Sequence, residues 1–184
     1  MIPLAERLRP QNIDDMVGQP HLFAAGMPMR RIIESGQVPN MIFYGPSGVG
    51  KTTLARMIAD RTDMSLHKLN GTTASVGDIR EILQESNSLF GSNGVLLYLD
   101  EIQYLNKKQQ QSLLEYIENG SVTLIASTTE NPFFAVFNAI ISRSTVFEFK
   151  PVTQDQMRPA IERAYRFLSD EQGSPIHFSP EVVS

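Results

Sequence analysis

A lysine follows a glycine-rich turn near residue 45, and this arrangement suits the binding of a polyphosphate. Gly45, Gly50, Lys51 and Thr52 match the pattern G-x-x-x-x-G-K-[ST], which lies between an apolar run and a helical pattern. Glycines let backbone N–H groups wrap around phosphate oxygens, and the helix N-terminus adds positive charge. The motif therefore predicts that Lys51 holds the β- and γ-phosphates of ATP and that Thr52 gives its hydroxyl to Mg²⁺. The predicted phosphate-binding residues are Gly45, Pro46, Ser47, Gly48, Val49, Gly50, Lys51, Thr52 and Thr53.

Two carboxylates end the apolar run VLLYLDE at residues 95–101. Ligands of open α/β sheets bind at the carboxyl ends of the strands, which is where this acidic pair would emerge. We expect Asp100 to lie in the Mg²⁺ shell and to contact the ion through water, because Mg²⁺ keeps several of its waters. Glu101 is expected to position or polarise the attacking water. An acidic pair at a strand end is by itself typical of a solvated helix start, and the lysine loop is what favours catalysis.

Two hydroxyls lie at the end of another apolar run, in the stretch ASTTENP. Thr128 and Thr129 could sense the γ-phosphate from this position and help to hold the water. Threonine also suits the end of a strand for ordinary conformational reasons. Both interpretations stay open at this point.

Short apolar runs alternate with helical patterns after residue 40, which is typical of an α/β fold with a parallel, doubly wound sheet. The predicted strands are 41–45, 65–70, 95–101, 122–128 and 145–149, and the predicted helices are about 51–62, 76–88, 107–118 and 153–169. Pro151 is a predicted domain boundary, because the helical pattern after it has no strand to follow. A last helix is predicted to begin at Ser179 and Pro180, and its few residues suggest a piece of a longer protein.

The composition narrows the class of protein. The 184 residues are 41% hydrophobic, carry a net charge of −4 and include no cysteine. These values exclude a disulfide framework and a cysteine-ligated zinc, and they give no overall basic field for nucleic acid. No apolar stretch approaches the ~20 residues that cross a bilayer. We expect a protein that is cytoplasmic and has no membrane partner.

The order of the motifs resembles the AAA+ ATPases of the clamp-loader branch. Within that branch, PLAERLRPQNIDDMVGQPHL, LDEIQYLNKKQQQSLLEYIENGSVTLIASTTENP and AIISRS are similar to the replication-associated recombination protein A family, whose eukaryotic relative is the Werner-helicase-interacting ATPase. The resemblance implies a P-loop AAA+ domain with a five-stranded parallel sheet between helices. It also implies an amino-terminal arm over 1–20, a nucleotide-binding core over 21–150 and the start of a helical lid over 151–184.

The resemblance implies further site residues. Those expected around the adenine are Arg9, Pro10, Val17 and Gly18. Thr129 takes the place of the first sensor residue, with Thr128 as the alternative. Arg143, in SRS, matches an arginine finger that acts on a neighbouring subunit's site, so hydrolysis would depend on assembly into a homo-oligomer. The second sensor arginine would lie beyond residue 184.

The implied function is a DNA-dependent ATPase at stalled or gapped replication forks, associated with the nucleoid and with single-strand-binding protein. The alternatives are a nucleotide-gated assembly module, a clamp loader or a branch-migration ATPase. Glu101 and Arg143 speak against a module without hydrolysis, which needs neither. Gln103 and Tyr104 depart from the histidine and basic residue that commonly follow the family's acidic pair, so the coupling of hydrolysis to DNA is expected to differ.

Overall fold

The computed structural model describes residues 3–88 and 94–177, and it places five parallel strands in one sheet. The strands are β1 (Met41–Tyr44), β2 (Ser65–Asn70), β3 (Val95–Asp100), β4 (Val122–Thr128) and β5 (Thr145–Glu148). Their order across the sheet is β2-β3-β4-β1-β5, and every pairing is parallel. The prediction of a five-stranded parallel sheet is confirmed, and each predicted strand ends within one residue of the observed one.

Helices connect the strands and precede the first of them. They are α1 (Leu4–Arg7), α2 (Pro20–Phe23), α3 (Pro28–Ser35), α4 (Lys51–Thr62), α5 (Val76–Ser88), α6 (Lys107–Ser112), α7 (Leu114–Glu118), α8 (Pro132–Ala135), α9 (Asn138–Ile141) and α10 (Gln154–Gln172). Short 3-10 helices cover Ile13–Asp15 and Ile102–Tyr104. The predicted start of a helix at Ser179 and Pro180 lies outside the described residues.

The sheet has a hydrophobic layer on each face because alternate strand residues point to opposite sides. Leu96 and Tyr98 of β3 pack on one side with Leu54 and Ile58 of α4. Leu97 and Leu99 of β3 pack on the other side, in a cluster that also contains Ile79 from α5. All these side chains are almost fully buried, so helices cover both faces and the doubly wound prediction is confirmed.

One helix prediction was wrong in detail. The pattern over 107–118 predicts a single helix, whereas the structure has α6 and α7 with Leu113 between them. The N–H of Leu113 bonds to the carbonyl of Gln110, three residues back, so the turn tightens at this point. The direction of the chain is kept, because Leu113 itself has helical dihedral angles.

The segment after the sheet forms a single long helix. Thr153 and Gln156 form a reciprocal capping box at the start of α10, and Gly173 ends the helix in a left-handed conformation. α10 packs against the residues before the sheet, since Arg163 donates to the carbonyl of Asp15 at 3.0 Å. Among the described residues, no helix is long and apolar enough to cross a membrane.

Candidate functional site

The glycine-rich turn joins β1 directly to α4 at the carboxyl edge of the sheet. Gly45 has φ +144°, and a Cβ there would lie 2.1 Å from the carbonyl oxygen of Phe149. Only glycine fits this close approach between the turn and the residue that follows β5. Gly50 precedes α4 in the left-handed conformation, so Lys51 is the first residue of the helix. The backbone thus turns back on itself as the phosphate-binding pattern requires.

The side chain of Lys51 points into the turn and is held there by backbone carbonyl groups of the turn. Its Nζ donates to the carbonyl oxygens of Gly45 at 2.5 Å and Pro46 at 2.8 Å, and the residue is only 7% exposed. Burial lowers the pKa of the ammonium group, and the charges of Glu101 and Asp100 oppose that effect. A phosphate would replace neutral acceptors by charged ones, and hydrogen bonds between charged groups are the stronger kind.

Six of the nine predicted loop residues and the acidic pair line one cavity of about 230 Å³, whereas Gly45, Pro46 and Val49 are not part of its lining. Its lining comprises Ser47, Gly48, Gly50, Lys51, Thr52, Thr53, Asp100 and Glu101. The carboxylates come from the end of β3 and the hydroxyls from the first turn of α4. Oxygen donors of this kind, one or two carboxylates together with a hydroxyl and substrate phosphates, suit Mg²⁺. Thr52 and Asp100 are therefore the side chains that fit a Mg²⁺ ion beside a polyphosphate.

Glu101 adopts an uncommon backbone conformation. Its φ of 54° and ψ of 50° lie in the left-handed region, which costs free energy for any residue with a Cβ. The Nε2 of Gln103 donates to Oε2 of Glu101 at 2.5 Å and lies 3.5 Å from Oγ1 of Thr129. Oε1 of Gln103 is buried and has no hydrogen-bond partner among the residues that the structure describes. Gln103 thus lies between the acidic pair and the end of β4.

The two candidate sensor threonines differ in their surroundings. Thr128 is fully buried, and its hydroxyl oxygen accepts from the N–H of Glu130 at 3.0 Å. Thr129 is exposed, and its hydroxyl faces Gln103. Thr129 is the threonine with a polar connection to Glu101. Its role as the first sensor, with Thr128 as the alternative, stays a prediction.

Sequence reasoning missed two buried hydroxyls under the site. Tyr98 lies two residues before Asp100 on β3, and Ser127 lies on β4. The Tyr98 hydroxyl is 3.1 Å from Oγ1 of Thr52 and 3.1 Å from Oγ of Ser127. Burial raises the pKa of the Tyr98 hydroxyl to about 12, although hydrogen bonds with Ser127 and Thr52 lower it. The two-residue spacing from Tyr98 to Asp100 was the available signal, because it places both on one face of the strand.

Only part of the residue set predicted for the adenine lines a common cleft. Val17 and Gly18 lie in a cleft of about 620 Å³ whose opposite side is formed by α10, including Pro159 and Phe167. Arg9 instead donates to the carboxylate of Glu6 at 2.5 Å, and the same carboxylate accepts from Arg56. Neither Arg9 nor Pro10 lines this cleft. Their contact with the adenine stays a prediction.

Arg143 lies at the opposite edge of the sheet from the phosphate-binding turn. It precedes β5, whose first residue pairs with Met41, whereas the turn follows the last residue of β1. A strand of four residues spans about 13 Å. Arg143 forms an ion pair with Glu118 and donates to the carbonyl of Ala139 at 2.9 Å. The described residues therefore place this arginine away from the cavity of its own chain.

Comparison with known proteins identifies the family. Residues 41–152 match the model of the ATPase family associated with various cellular activities (AAA). The chain belongs to the AAA family of ATPases. The match covers the sheet, the phosphate-binding turn and the acidic pair of this AAA domain.

Two curated relatives support the resemblance that the motifs gave. The chain is 42% identical to replication-associated recombination protein A of Bacillus subtilis over 171 residues, which are 93% of this chain and 39% of the relative. It is 36% identical to ATPase WRNIP1 of Dictyostelium discoideum over 162 residues, covering 88% of this chain and 18% of the relative. The resemblance to this group is confirmed. The chain spans less than half the length of either relative.

A solved structure shares the fold of this AAA domain. The Thermotoga maritima RuvB Holliday junction branch migration motor superposes with a TM-score of 0.70 and 28% identity, covering 88% of this chain and 55% of that chain. The shared architecture agrees with the five-stranded parallel sheet and flanking helices described above.

Proposed function

We propose that this chain is the nucleotide-binding part of a DNA-dependent ATPase that hydrolyses ATP to ADP and phosphate. The observation that carries the proposal is that Lys51, Thr52, Asp100 and Glu101 line one cavity at the carboxyl edge of the sheet. A phosphate-binding lysine, two oxygen donors for Mg²⁺ and a second carboxylate are the parts that phosphoryl transfer to water needs.

Each side chain has a defined task in this proposal. Lys51 neutralises the β- and γ-phosphates, and the loop residues around it bind phosphate through their N–H groups. Thr52 and Asp100 would hold Mg²⁺, which would supply positive charge against the negative charge that develops during transfer. Glu101 accepts a hydrogen bond from the attacking water and orients it towards the γ-phosphorus. The water oxygen forms a bond to that phosphorus while the bond from the phosphorus to the bridging oxygen breaks, so that ADP leaves and the water gives a proton to Glu101.

Arg143 completes the site of a second copy. Its location at the amino-terminal edge of the sheet supports action in trans, because the phosphate-binding turn of the same chain is at the other edge. An arginine finger stabilises negative charge in the transition state and is worth about 10³ to 10⁵ in rate. Efficient hydrolysis then requires a homo-oligomer. The exposed ion pair with Glu118 is weak enough to be exchanged for a phosphate.

The biological setting rests on the relatives. The names replication-associated recombination protein A and Holliday junction branch migration motor refer to DNA transactions, and they support a role in replication-fork maintenance and recombination. DNA with single-stranded gaps, ends or forks is the proposed partner, together with single-strand-binding protein. A location in the cytoplasm at the nucleoid follows from that role. The proposed domains are an arm over 1–20, the core over 21–150 and the start of a lid over 151–184.

Nucleotide binding and turnover of matched variants test this function. Lys51→Ala should lose binding of ATP, because the buried ammonium provides the charge that faces the phosphates, whereas the exposed Lys108→Ala should bind normally. Glu101→Gln should bind ATP and fail to hydrolyse it, whereas the exposed Glu115→Gln should turn over like the wild type. Equal turnover by Glu101→Gln and wild type would refute the assignment of the water-orienting carboxylate.

The arginine is tested by mixing two inactive variants. Lys51→Ala keeps Arg143, and Arg143→Ala keeps a complete cavity. An active site therefore forms only where the cavity of an Arg143→Ala copy faces the arginine of a Lys51→Ala copy. Random pairing of equal amounts gives about one active interface in four. Recovery of about a quarter of wild-type turnover is expected if the finger acts in trans, and no recovery contradicts it.

DNA dependence is tested separately. Turnover should rise when duplex DNA with a single-stranded gap is added, and it should rise less with the same duplex sealed. An identical rate with both substrates would contradict recognition of gaps.

A further inference from the structure

Four oxygen atoms form a hydrogen-bonded cluster at the wall of the cavity: two belong to the partly buried lining residues Thr52 and Asp100, and two to the buried residues Tyr98 and Ser127 behind them. Tyr98 is 1% exposed, and its hydroxyl lies 3.1 Å from Oγ1 of Thr52, 3.1 Å from Oγ of Ser127 and 3.3 Å from Oδ1 of Asp100. Ser127 is fully buried and donates its own proton to Oδ1 of Asp100. The cluster therefore connects the two side chains that fit Mg²⁺ through two that do not line the cavity.

The number of protons in the cluster determines the direction of each hydrogen bond. A hydroxyl has one proton to donate, and an ionised carboxylate can only accept. Ser127 gives its proton to Asp100, so its oxygen is an acceptor for Tyr98. Tyr98 gives its proton to Ser127 or to Asp100 itself, and in either case its oxygen is left as an acceptor. The hydrogen bond between Thr52 and Tyr98 is then donated by Thr52.

This direction matters for a hydroxyl that has to hold a metal ion. A hydroxyl coordinates a cation through an oxygen lone pair, so its proton must point elsewhere. We propose that Tyr98 and Ser127 are positioning residues that draw the Thr52 proton into the protein and leave the Thr52 lone pairs facing bound Mg²⁺. The inference rests on the proposed function, because it concerns the Mg²⁺ that accompanies ATP in this cavity.

The test measures Mg²⁺ affinity rather than turnover. Binding of ATP to the chain is followed by calorimetry at increasing Mg²⁺ concentration, and once with EDTA in place of metal. Tyr98→Phe keeps the ring and removes the acceptor for Thr52, so the hydroxyl of Thr52 can rotate. We expect its apparent affinity for Mg²⁺ to fall about ten-fold, the equivalent of one hydrogen bond, with unchanged ATP binding in EDTA. Tyr116→Phe removes the same oxygen from a residue of α7 and should have no effect on Mg²⁺.

Ser127 provides an independent variant. In Ser127→Ala the Tyr98 hydroxyl still has Asp100 as an acceptor at 3.3 Å, so the loss of Mg²⁺ affinity should be smaller, about two- to four-fold. Ser127→Thr keeps a hydroxyl and should restore the wild-type affinity. The double variant Tyr98→Phe with Ser127→Ala should lose no more Mg²⁺ affinity than Tyr98→Phe alone, because the two residues act through one chain of hydrogen bonds.

The outcomes separate this inference from the proposed function. Circular dichroism first establishes which variants are folded. If either folded variant, Tyr98→Phe or Ser127→Ala, has the wild-type affinity for Mg²⁺, the inference is overturned and the proposed function stays intact. The same holds if a variant loses as much ATP affinity in EDTA as it does with Mg²⁺. Absence of any Mg²⁺ effect on ATP binding by the wild type overturns the proposed function itself.

Discussion

The left-handed backbone of Glu101 predicts that the acidic pair is held at a cost in stability. At φ 54° a residue with a Cβ pays about 1–2 kcal/mol, which glycine avoids. Glycine in turn loses about 0.5–1 kcal/mol more conformational free energy on folding than alanine does. The difference makes Glu101→Gly more stable than Glu101→Ala by about 0.5–1 kcal/mol. Both variants lose the hydrogen bond from Gln103, so that loss cancels in the comparison.

Thermal unfolding provides the assay. For a chain of this size 1 kcal/mol shifts Tm by about 2–4 °C, so the glycine variant should melt about 1–4 °C above the alanine variant. Asp63 has φ 52° and is exposed at the end of α4, and the same pair of substitutions there calibrates the effect. An alanine variant at residue 101 that melts at or above the glycine variant, while residue 63 behaves as expected, would refute the reasoning. Neither variant at residue 101 should hydrolyse ATP.

Three further predictions concern the surroundings of the acidic pair. Gly71→Ala places a Cβ 2.2 Å from the carbonyl oxygen of Glu101, so it should cost more than about 1 kcal/mol in urea unfolding and reduce turnover more than ATP binding; unchanged stability would contradict this close approach. Gln103→Ala frees the Glu101 carboxylate and should lower kcat about ten-fold at unchanged nucleotide affinity, which steady-state kinetics will measure; an unchanged kcat would show that Gln103 does not hold the carboxylate. The pKa of Tyr98 is raised on folding from about 10 to about 12, so its contribution to stability is complete below pH 10 and is lost as pH rises through 12. Between pH 10 and pH 12 the free energy of unfolding of the wild type should therefore fall by up to about 3 kcal/mol more than that of Tyr98→Phe, as measured by urea unfolding at each pH.

The parts of the site that follow from local sequence were predictable. The turn from Gly45 to Lys51 combines a strand, glycines and a helix start within a few residues, and its geometry is set by those neighbours. Asp100 and Glu101 end an apolar run, and parallel strands put such ends at one edge of the sheet. The three central strands β1, β3 and β4 were predictable because buried parallel strands are continuous apolar runs, whereas the edge strands β2 and β5 mix polar with apolar residues.

The parts that depend on contacts between distant segments were not predictable. Tyr98 and Ser127 read as ordinary residues of buried strands until β3 and β4 pair and bring their hydroxyls to 3.1 Å. Gln103 lies in a 3-10 turn, and only the fold directs its amide to Glu101. Arg9 belongs to a similar case: Glu6 accepts from both Arg9 and Arg56, and although the spacing of three residues suits the Glu6–Arg9 pair, only the fold brings Arg56 to the same carboxylate.

Turnover of ATP per chain, measured as a function of protein concentration, tests the central proposal most directly. In this proposal a complete site needs Lys51 and Glu101 from one copy and Arg143 from another, so turnover per chain should climb with concentration while ATP binding per chain stays constant. The same series with Arg143→Ala should remain flat and low. Turnover per chain that is constant across the series and equal in wild type and Arg143→Ala would contradict a site shared between copies.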